Sequence, residues 1–266
     1  MIDPMKRTAR LATAILGVAL LAGCGGGGEP DSPSTEGTTR SLLNQDIIGG
    51  PSTPVEGDSD LTSRLTRAHS IPELGHNLGS LDAPLKLMEF SDFGCGYCRR
   101  FHEESFAALQ EQFVDTERIE WKFMPFITGM FDNSLAVTEA AECVREQSED
   151  AFWAFSDRLW GGQSEWKGSS EPEAVARSWA RELGVEVDRY DSCLAEDRRL
   201  ERVAGATLLA QQLGIRGTPT FWLVGYGPLQ GALPLEAFQG ILGAVLQEVE
   251  AGQAAAADSA AVSESD

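Results

Sequence analysis

The segment Lys86-Leu-Met-Glu-Phe-Ser-Asp-Phe-Gly-Cys-Gly-Tyr-Cys-Arg-Arg-Phe101 is the most informative part of the chain. Its apolar first half predicts a short strand, and Gly94 breaks that pattern. From Cys98 onward, apolar residues recur at the spacing of an amphipathic helix. The segment therefore predicts a strand, a tight connection and a helix that begins at a Cys-x-x-Cys motif, with Cys95 at its N-terminus.

The position of Cys95 favours a reactive thiolate. The first N–H groups of a helix have no partner within the helix, and the helix dipole places partial positive charge there. Both effects stabilise a thiolate and lower the pKa of a cysteine from its free value of about 8.5. Cys98 lies three residues later on the same face, so the two sulfur atoms can form a disulfide. The motif predicts a redox-active cysteine pair.

A zinc site or an inert disulfide would use the same two cysteines. Zinc usually takes two further ligands at short spacing. The sequence has no second Cys-x-x-Cys, and its three histidines, His69, His76 and His102, show no pairing that would supply them. We therefore expect no metal and no cofactor, and we assign no role to His69 or His76.

The composition excludes one class of partner. The chain has 266 residues, enough for one substantial core, and a formal net charge of −20. Binding to nucleic acid requires a basic face that neutralises phosphates. We therefore expect no nucleic-acid partner.

Residues 1–23 are typical of an export signal. Basic residues precede an apolar run that is too short to cross a bilayer comfortably, and the run ends in Leu21-Ala-Gly-Cys24. These four residues resemble a bacterial lipobox, in which the cysteine is lipidated and becomes the mature N-terminus. The alternative is an ordinary secretory signal in which Cys24 is incidental. The lipobox predicts a lipid-anchored protein on the periplasmic side of a bacterial membrane, where disulfides persist.

Composition divides the remaining chain into three parts. Residues 24–70, rich in Gly, Pro, Ser and acidic residues, predict a disordered tether because they cannot bury enough apolar surface to fold. Residues 71–250 predict one folded domain, in which a helical insertion at about residues 130–212 separates two groups of strands. Residues 251–266 predict a disordered acidic tail after a last helix over 235–249. Strands that alternate with helices indicate an α/β layered domain.

Two motifs together resemble the DsbA-like branch of the thioredoxin superfamily. They are the segment 89–101 and the segment Leu213-Gly-Ile-Arg-Gly-Thr-Pro-Thr-Phe221, and the resemblance extends over about residues 71–250. It implies a thioredoxin-like sheet with an inserted helical domain, in an enzyme that makes, breaks or shuffles disulfides of exported proteins. It also implies that Cys95 is the exposed nucleophile and Cys98 the resolving thiol.

The resemblance further implies which residues meet the substrate protein. Pro219 would belong to a cis-proline loop that packs against the cysteines, and X-Pro bonds are those for which cis costs little. The alternative is a trans proline that begins an edge strand. The backbone at Thr218 would pair with an extended substrate segment. Gly96 and Tyr97, between the cysteines, would tune the thiolate, and we count them among the substrate-binding residues.

Glu89 stands six residues before Cys95, where DsbA-like proteins place a buried acid beneath the disulfide. Burial in an apolar strand disfavours an ionised carboxylate, and such a group can accept the proton of Cys98. Asp92 could serve in its place or could cap the helix. The alternative for Glu89 is a solvated strand residue without such a role.

The direction of the reaction is left open by the motifs. Gly96-Tyr97 and the Thr before the proline resemble the disulfide isomerase DsbC, although residues 25–70 are too polar to build that protein's dimerisation domain. We expect a monomeric oxidoreductase that favours disulfide formation. The alternatives are a reductase or isomerase, and a non-catalytic chaperone or binding protein. The expected partners are exported proteins with free or mispaired cysteines, and a membrane or soluble redox partner.

An account of all five cysteines leaves Cys143 and Cys193, since Cys24 is assigned to lipid and the Cys-x-x-Cys to redox chemistry. Two free thiols beside an active disulfide would exchange with it in an exported chain. We therefore predict a structural disulfide between Cys143 and Cys193 within the helical insertion. The alternative is two separate buried thiols that pack as small apolar residues.

Overall fold

The computed structural model of the chain describes residues 73–263. The export signal, Cys24, the tether and His69 lie outside the described residues, and the statements made about them remain predictions. The strands of the described part are β1 His76–Leu78, β2 Leu85–Ser91, β3 Ile119–Pro125, β4 Thr220–Leu223 and β5 Gly227–Gln230.

One long helical segment and seven further helices accompany these strands in the described part. The long segment, α1 over residues 96–114, alternates between α-helical turns (Gly96–Phe101, Ala107–Leu109) and π-helical turns (His102–Phe106, Gln110–Val114). The others are α2 Ser134–Arg145, α3 Glu149–Gly161, α4 Gln163–Trp166, α5 Pro172–Glu182, α6 Val187–Ala195, α7 Leu200–Gln212 and α8 Leu235–Ser263.

The strands form one mixed sheet in the order β1-β3-β2-β4-β5. β2 and β3 are parallel and are joined by the α1 crossover, whereas the other neighbours pair antiparallel. The helices α2 to α7 all lie between β3 and β4 in the chain. The expected α/β class with a helical insertion between two groups of strands is confirmed.

The central strand β2 is buried on both faces, and this decides which way each of its side chains points. Alternate residues of a strand face opposite sides of the sheet. Leu85 and Leu87 therefore pack on one face with α1 and α8, while Met88 and Phe90 pack on the other with α7. Glu89, which is in phase with Leu87, lies on the α1 face.

The helical insertion builds a core of its own that reaches the Cys-x-x-Cys. Phe93, Cys95 and Cys98 belong to the same apolar cluster as the aromatic side chains of α3 to α5. Within this block, Cys143 of α2 and Cys193 of α6 form a disulfide with a Cα–Cα separation of 5.8 Å. The bridge closes over a sequence separation of 50 residues and ties α2 to α6.

The structure differs from the sequence analysis at both ends of the folded domain. β1 was not foreseen, because three residues that include His76 and Asn77 show no apolar alternation; pairing with β3 creates the strand. At the other end, α8 continues to Ser263, so the prediction of a disordered tail from 251 is wrong for the described residues. Alanine has the highest helix propensity, and the Ala-rich sequence prolongs the helix.

Candidate active site

The two cysteines of the motif lie at the beginning of α1. Cys95 is the N-cap residue, and Cys98 is one turn into the helix. Both are free thiols, with only 3% and 0% of their surface exposed. The expectation that Cys95 is exposed is therefore wrong, because the insertion covers it. Between the two cysteines, Gly96 is exposed and Tyr97 has 62% of its surface exposed. The two cysteines are therefore buried, while the residues between them lie at the protein surface.

The surroundings of Cys95 stabilise its thiolate. The pKa of Cys95 is lowered to about 6, above all because the Cys98 thiol donates a hydrogen bond to it. Burial opposes this shift, while Thr218 and the backbone N–H groups of Cys98 and Tyr97 reinforce it. As a thiol, Cys95 Sγ donates to the backbone oxygen of Thr218 at 3.4 Å.

Cys98 has the opposite character. Burial raises the pKa of the Cys98 thiol well above its usual range, and the neighbouring Cys95 raises it further. Ser91 and the backbone of Asp92 oppose this shift only in part. At neutral pH the site thus holds an anionic sulfur at Cys95 and a neutral thiol that donates to it at Cys98.

The loop before β4 completes the site. The Thr218–Pro219 peptide bond is cis, and the trans alternative is therefore wrong. Pro219 O accepts a hydrogen bond from Gly231 N at 2.9 Å, and Thr220 Oγ1 donates to Gly217 O at 2.8 Å. These bonds hold the loop where the carbonyl of Thr218 reaches the sulfur of Cys95.

Glu89 is completely buried, so the alternative of a solvated residue is wrong. Its carboxylate lies 2.8 Å from Nε2 of His102 and accepts a hydrogen bond from Nε1 of Trp121 at 3.0 Å. Neither of these hydrogen bonds connects Glu89 to a thiol. The role of Glu89 as the proton acceptor for Cys98 stays a prediction.

The histidines have partners that sequence spacing did not reveal. His102 pairs with Glu89, and His76 Nε2 lies 2.7 Å from Oε1 of Glu142 in the core of the insertion. The sequence analysis assigned no role to His76, and the structure shows that it is a buried ion-pair residue. Glu142 lies 66 residues from His76, on a different element, and no local pattern marks such a pair.

Asp92 has structural hydrogen bonds that the sequence analysis did not foresee. Its carboxylate accepts hydrogen bonds from Gly94 N at 2.9 Å, from the backbone and side chain of Thr128 at 3.1 Å each, and from Ser134 Oγ. It does not cap α1, whose N-cap is Cys95. Asp92 instead joins the connection before the cysteines to the segment that leads from β3 into α2.

Two polar side chains of the insertion contact the same connection and were missed by the sequence analysis. Gln163 Nε2 donates to Phe93 O at 2.7 Å and to Cys95 O at 3.2 Å. Lys167 Nζ lies 2.5 Å from Gly94 O. The available signal was their spacing of four residues, which places both side chains on one face of a helix, but nothing in the sequence named their target.

Metal binding and membrane crossing find no support in the part of the chain that the structure describes. Over residues 73–263, no group of His, Cys, Asp and Glu side chains is arranged to hold a metal ion. Among the same residues, no helix combines the length and apolarity needed to cross a bilayer.

Comparison with known proteins places this geometry in a family. A family profile described as Thioredoxin matches residues 73–243, which is more than half of the chain. The crystal structure of alpha-DsbA1 from Wolbachia pipientis superposes with a TM-score of 0.61 at 17% identity, covering 67% of this chain and 94% of that chain. At this identity the likeness shows the fold alone. The expected thioredoxin-like sheet with an inserted helical domain, of the DsbA-like kind, is confirmed.

Curated relatives have two kinds of name. The Na(+)/H(+) antiporter NhaA 3 of Salinispora tropica is 32% identical over 162 residues, which are 59% of this chain and 23% of the antiporter. The probable disulfide bond formation protein D of Bacillus cereus is 28% identical over 151 residues, which are 56% of this chain and 69% of that protein. The chain thus spans under a quarter of the antiporter's length and just over two thirds of the Bacillus protein's.

Proposed function

The chain belongs to the thioredoxin family, and on this premise we propose that it is a thiol–disulfide oxidoreductase that forms disulfides in exported proteins. The observation that carries the proposal is the unequal character of the two cysteines, with a stabilised thiolate at Cys95 and a buried neutral thiol at Cys98. The name of the Bacillus cereus relative supports the same chemistry.

The proposed reaction proceeds through a mixed disulfide. A thiolate of the substrate protein attacks Sγ of Cys95 in the oxidised pair, a new S–S bond forms, and the Cys95–Cys98 bond breaks. Cys98 receives the electron pair and a proton, because its pKa is raised. A second substrate thiolate then attacks the substrate sulfur, and Cys95 leaves as a thiolate. The substrate is oxidised by two electrons, and an external redox partner reoxidises the cysteine pair.

The lowered pKa of Cys95 favours oxidation of the substrate over its reduction. A stable thiolate is a good leaving group in the second step and lowers the free energy of the reduced protein. Both effects drive electrons from the substrate to the cysteine pair. An enzyme poised as a reductase would instead need the disulfide form to be the more stable one.

We propose that the substrate approaches across Tyr97 and the proline loop. Thr218 carries a backbone carbonyl within reach of Cys95, and Pro219 follows it directly. An extended substrate segment would pair with the backbone at Thr218, while the open space around Gly96 leaves room for the substrate beside the buried sulfur. This approach fits a flexible or unfolded segment around a substrate cysteine.

The proposed function is tested by the redox equilibrium of the full exported chain with glutathione, together with two activity assays. We expect catalysis of the oxidative refolding of reduced ribonuclease A, weak reduction of insulin, and loss of both activities in Cys95→Ser. Faster insulin reduction than ribonuclease oxidation would assign the reverse direction. Inactivity of the wild-type chain in both assays would favour a non-catalytic binding protein.

We further propose that the protein is exported and anchored by lipid at Cys24, on the strength of the Leu-Ala-Gly-Cys motif. Replacing Cys24 with Ala should move the protein from the membrane fraction to the soluble exported fraction and abolish labelling by a fatty-acid analogue. A wild-type chain that is wholly soluble after cell fractionation would contradict the anchor while leaving the redox chemistry intact.

A further inference from the structure

Three successive carbonyl groups before α1 are held by the helical insertion. Gln163 Nε2 lies 2.7 Å from Phe93 O and 3.2 Å from Cys95 O, and Lys167 Nζ lies 2.5 Å from Gly94 O between them. Gln163 is buried, and its amide nitrogen has two N–H groups, so each carbonyl can receive one of them. We call Gln163 and Lys167 the carbonyl clamp.

The short helix α4, with Lys167 directly after it, carries the carbonyl clamp and is held in place by hydrogen bonds. Trp166 of α4 is fully buried and donates through Nε1 to Leu159 O at 3.0 Å. Asn133 Nδ2 donates to three backbone oxygens, those of Trp166, Lys167 and Ser169, at 2.8 to 3.1 Å. The insertion therefore presents both clamp side chains from a fixed position.

The clamped segment leaves little room for any other conformation. A side chain at Gly94 would collide with Phe131, over whose ring Lys167 Nζ lies at 4.7 Å from the centroid. On its other side, the backbone N–H of Cys95 donates to Asp92 O at 2.9 Å. Residues 93–95 are therefore enclosed by Phe131, by the turn that the Cys95 N–H to Asp92 O hydrogen bond closes, and by the carbonyl clamp.

The clamp has a consequence for the sulfur of Cys95. The thiolate is stabilised by the N–H groups of Tyr97 and Cys98 and by the Cys98 thiol, and all three depend on the backbone at the start of α1. Without the clamp, the carbonyls of Phe93 and Gly94 would lose their donors, and Cys95 O would keep only the helical hydrogen bond from Arg99 N at 3.1 Å. The peptide units of Phe93 and Gly94 would then rotate to find other partners. Such a rotation moves the first turn of the helix relative to the sulfur.

We infer that Gln163 and Lys167 are positioning residues through which the helical insertion sets the stability of the Cys95 thiolate, and hence the oxidising strength of the cysteine pair. This inference deepens the proposed function and rests on it for its biological meaning. The insertion is then part of the redox machinery as well as a cover over the sheet. It acts through the backbone of residues 93–95 and does not touch the reacting sulfur atoms.

The test is the pH dependence of Cys95 alkylation by iodoacetamide in the reduced full chain. Gln163→Met preserves the length of the side chain but removes both donors. We expect its alkylation midpoint to lie about one pH unit above that of the wild type. Since the wild-type pKa is about 6, the alkylation rate at pH 6 should fall about fivefold. The equilibrium constant with glutathione should shift toward the disulfide form in the same variant.

A second glutamine, half-buried and remote in sequence from Cys95 and Cys98, serves as the control. Gln147 also makes two hydrogen bonds through its amide, with the backbone oxygen of Glu186 at 3.0 Å and the backbone N–H of Glu186 at 2.9 Å, and it has none with the cysteine segment. Gln147→Met should therefore leave the alkylation midpoint at the wild-type value. A wild-type midpoint in Gln163→Met, or an equal shift in Gln147→Met, would overturn the inference.

Lys167 gives a second, independent variant in case Gln163→Met does not fold. Lys167→Met removes the donor to Gly94 O and should raise the midpoint, whereas Lys167→Arg keeps a donor and should restore it. A midpoint in Lys167→Met equal to that of the wild type would also overturn the inference. The alkylation readout needs no substrate protein. An inactive wild-type chain therefore refutes the proposed function without deciding this one.

Discussion

Nε2 of His102 lies 2.8 Å from Oε1 of Glu89, on the face of the sheet that α1 covers, and both side chains are buried. The imidazole also stacks on Trp160 of the insertion, with ring centroids 4.6 Å apart. One residue of β2, one of α1 and one of α3 thus meet near the cysteine pair. The sequence analysis singled out Glu89 but did not reveal that His102 pairs with its carboxylate.

We predict that Glu89→Leu lowers the free energy of unfolding by about 3–5 kcal/mol, because it leaves His102 and the N–H of Trp121 buried without their acceptor. Glu89→Gln retains an acceptor and should cost roughly 1 kcal/mol. Urea denaturation of both variants measures this. Glu120→Gln is the control: Glu120 is also buried, but its partner Lys86 has a side chain that is 49% exposed, so the change should cost only about 1 kcal/mol.

The same variant tests the predicted role of Glu89 as a proton acceptor. If Glu89 takes the proton of Cys98, Glu89→Gln should slow the attack of Cys98 on a mixed disulfide at Cys95. The pH midpoint of Cys95 alkylation should stay unchanged. The rate is that of glutathione release when a Cys95–glutathione adduct that retains Cys98, prepared at low pH, is brought to neutral pH by stopped-flow mixing. A wild-type rate in Glu89→Gln would assign Glu89 to stability alone.

Cys95 should react with iodoacetamide with a midpoint near pH 6, while Cys98 should stay unreactive up to pH 8. The thiol of Cys98 makes the largest contribution to the lowered pKa of Cys95. Cys98→Ala should therefore move the midpoint upward by roughly one unit or more. Mass spectrometry of the alkylated peptides distinguishes the two sites. Equal alkylation of both cysteines at neutral pH is the contrary outcome.

Replacing Cys143 and Cys193 together with Ala should lower the free energy of unfolding by roughly 4 kcal/mol in the chain-entropy model, since the bridge closes a long loop. The melting temperature of the double variant measures the loss. The pH midpoint of Cys95 alkylation serves as the internal control and should not move. An unchanged melting temperature would show that this bridge contributes nothing to stability.

Glu142 should be far more important for stability than Glu146, the residue that directly follows α2. Glu142 is buried and pairs with His76 and Arg202, so Glu142→Gln should cost about 3–5 kcal/mol. Glu146 pairs with Arg198 and Arg199 near the surface, and its substitution should cost about 1 kcal/mol or less. Denaturant titration compares the two, and equal losses would contradict the prediction.

The contribution of Glu142 also depends on pH. Burial alone would raise its pKa, but the charges and hydrogen bonds of His76 and Arg202 overcome burial and lower the pKa below the reference value of 4.5. A lowered pKa in the folded state means that the unfolded state binds more protons. The stabilisation is therefore complete well above pH 4.5, and it is lost as the pH falls through the folded-state pKa. Glu142→Gln should flatten this dependence.

Local patterns determined much of this protein from its sequence. The change from an apolar strand to helical spacing located Cys95 at a helix start, because hydrophobic periodicity is a property of neighbouring residues. The Thr-Pro pair marked the loop before β4. The count of cysteines led to the pairing of Cys143 with Cys193. Each of these inferences needed only a short segment or the list of one residue type.

Only the tertiary structure decided which polar groups meet. Gln163 reaches the carbonyl of Cys95 across 68 residues, and His76 reaches Glu142 across 66. Each member of these pairs is an ordinary polar residue within its own segment. Such pairs form because a buried donor or acceptor must find a partner, and the packing of the insertion against the sheet determines which partner is near. The sequence alone therefore pointed to the two sulfur atoms at which we propose the reaction, whereas the groups that surround them became visible only in the fold.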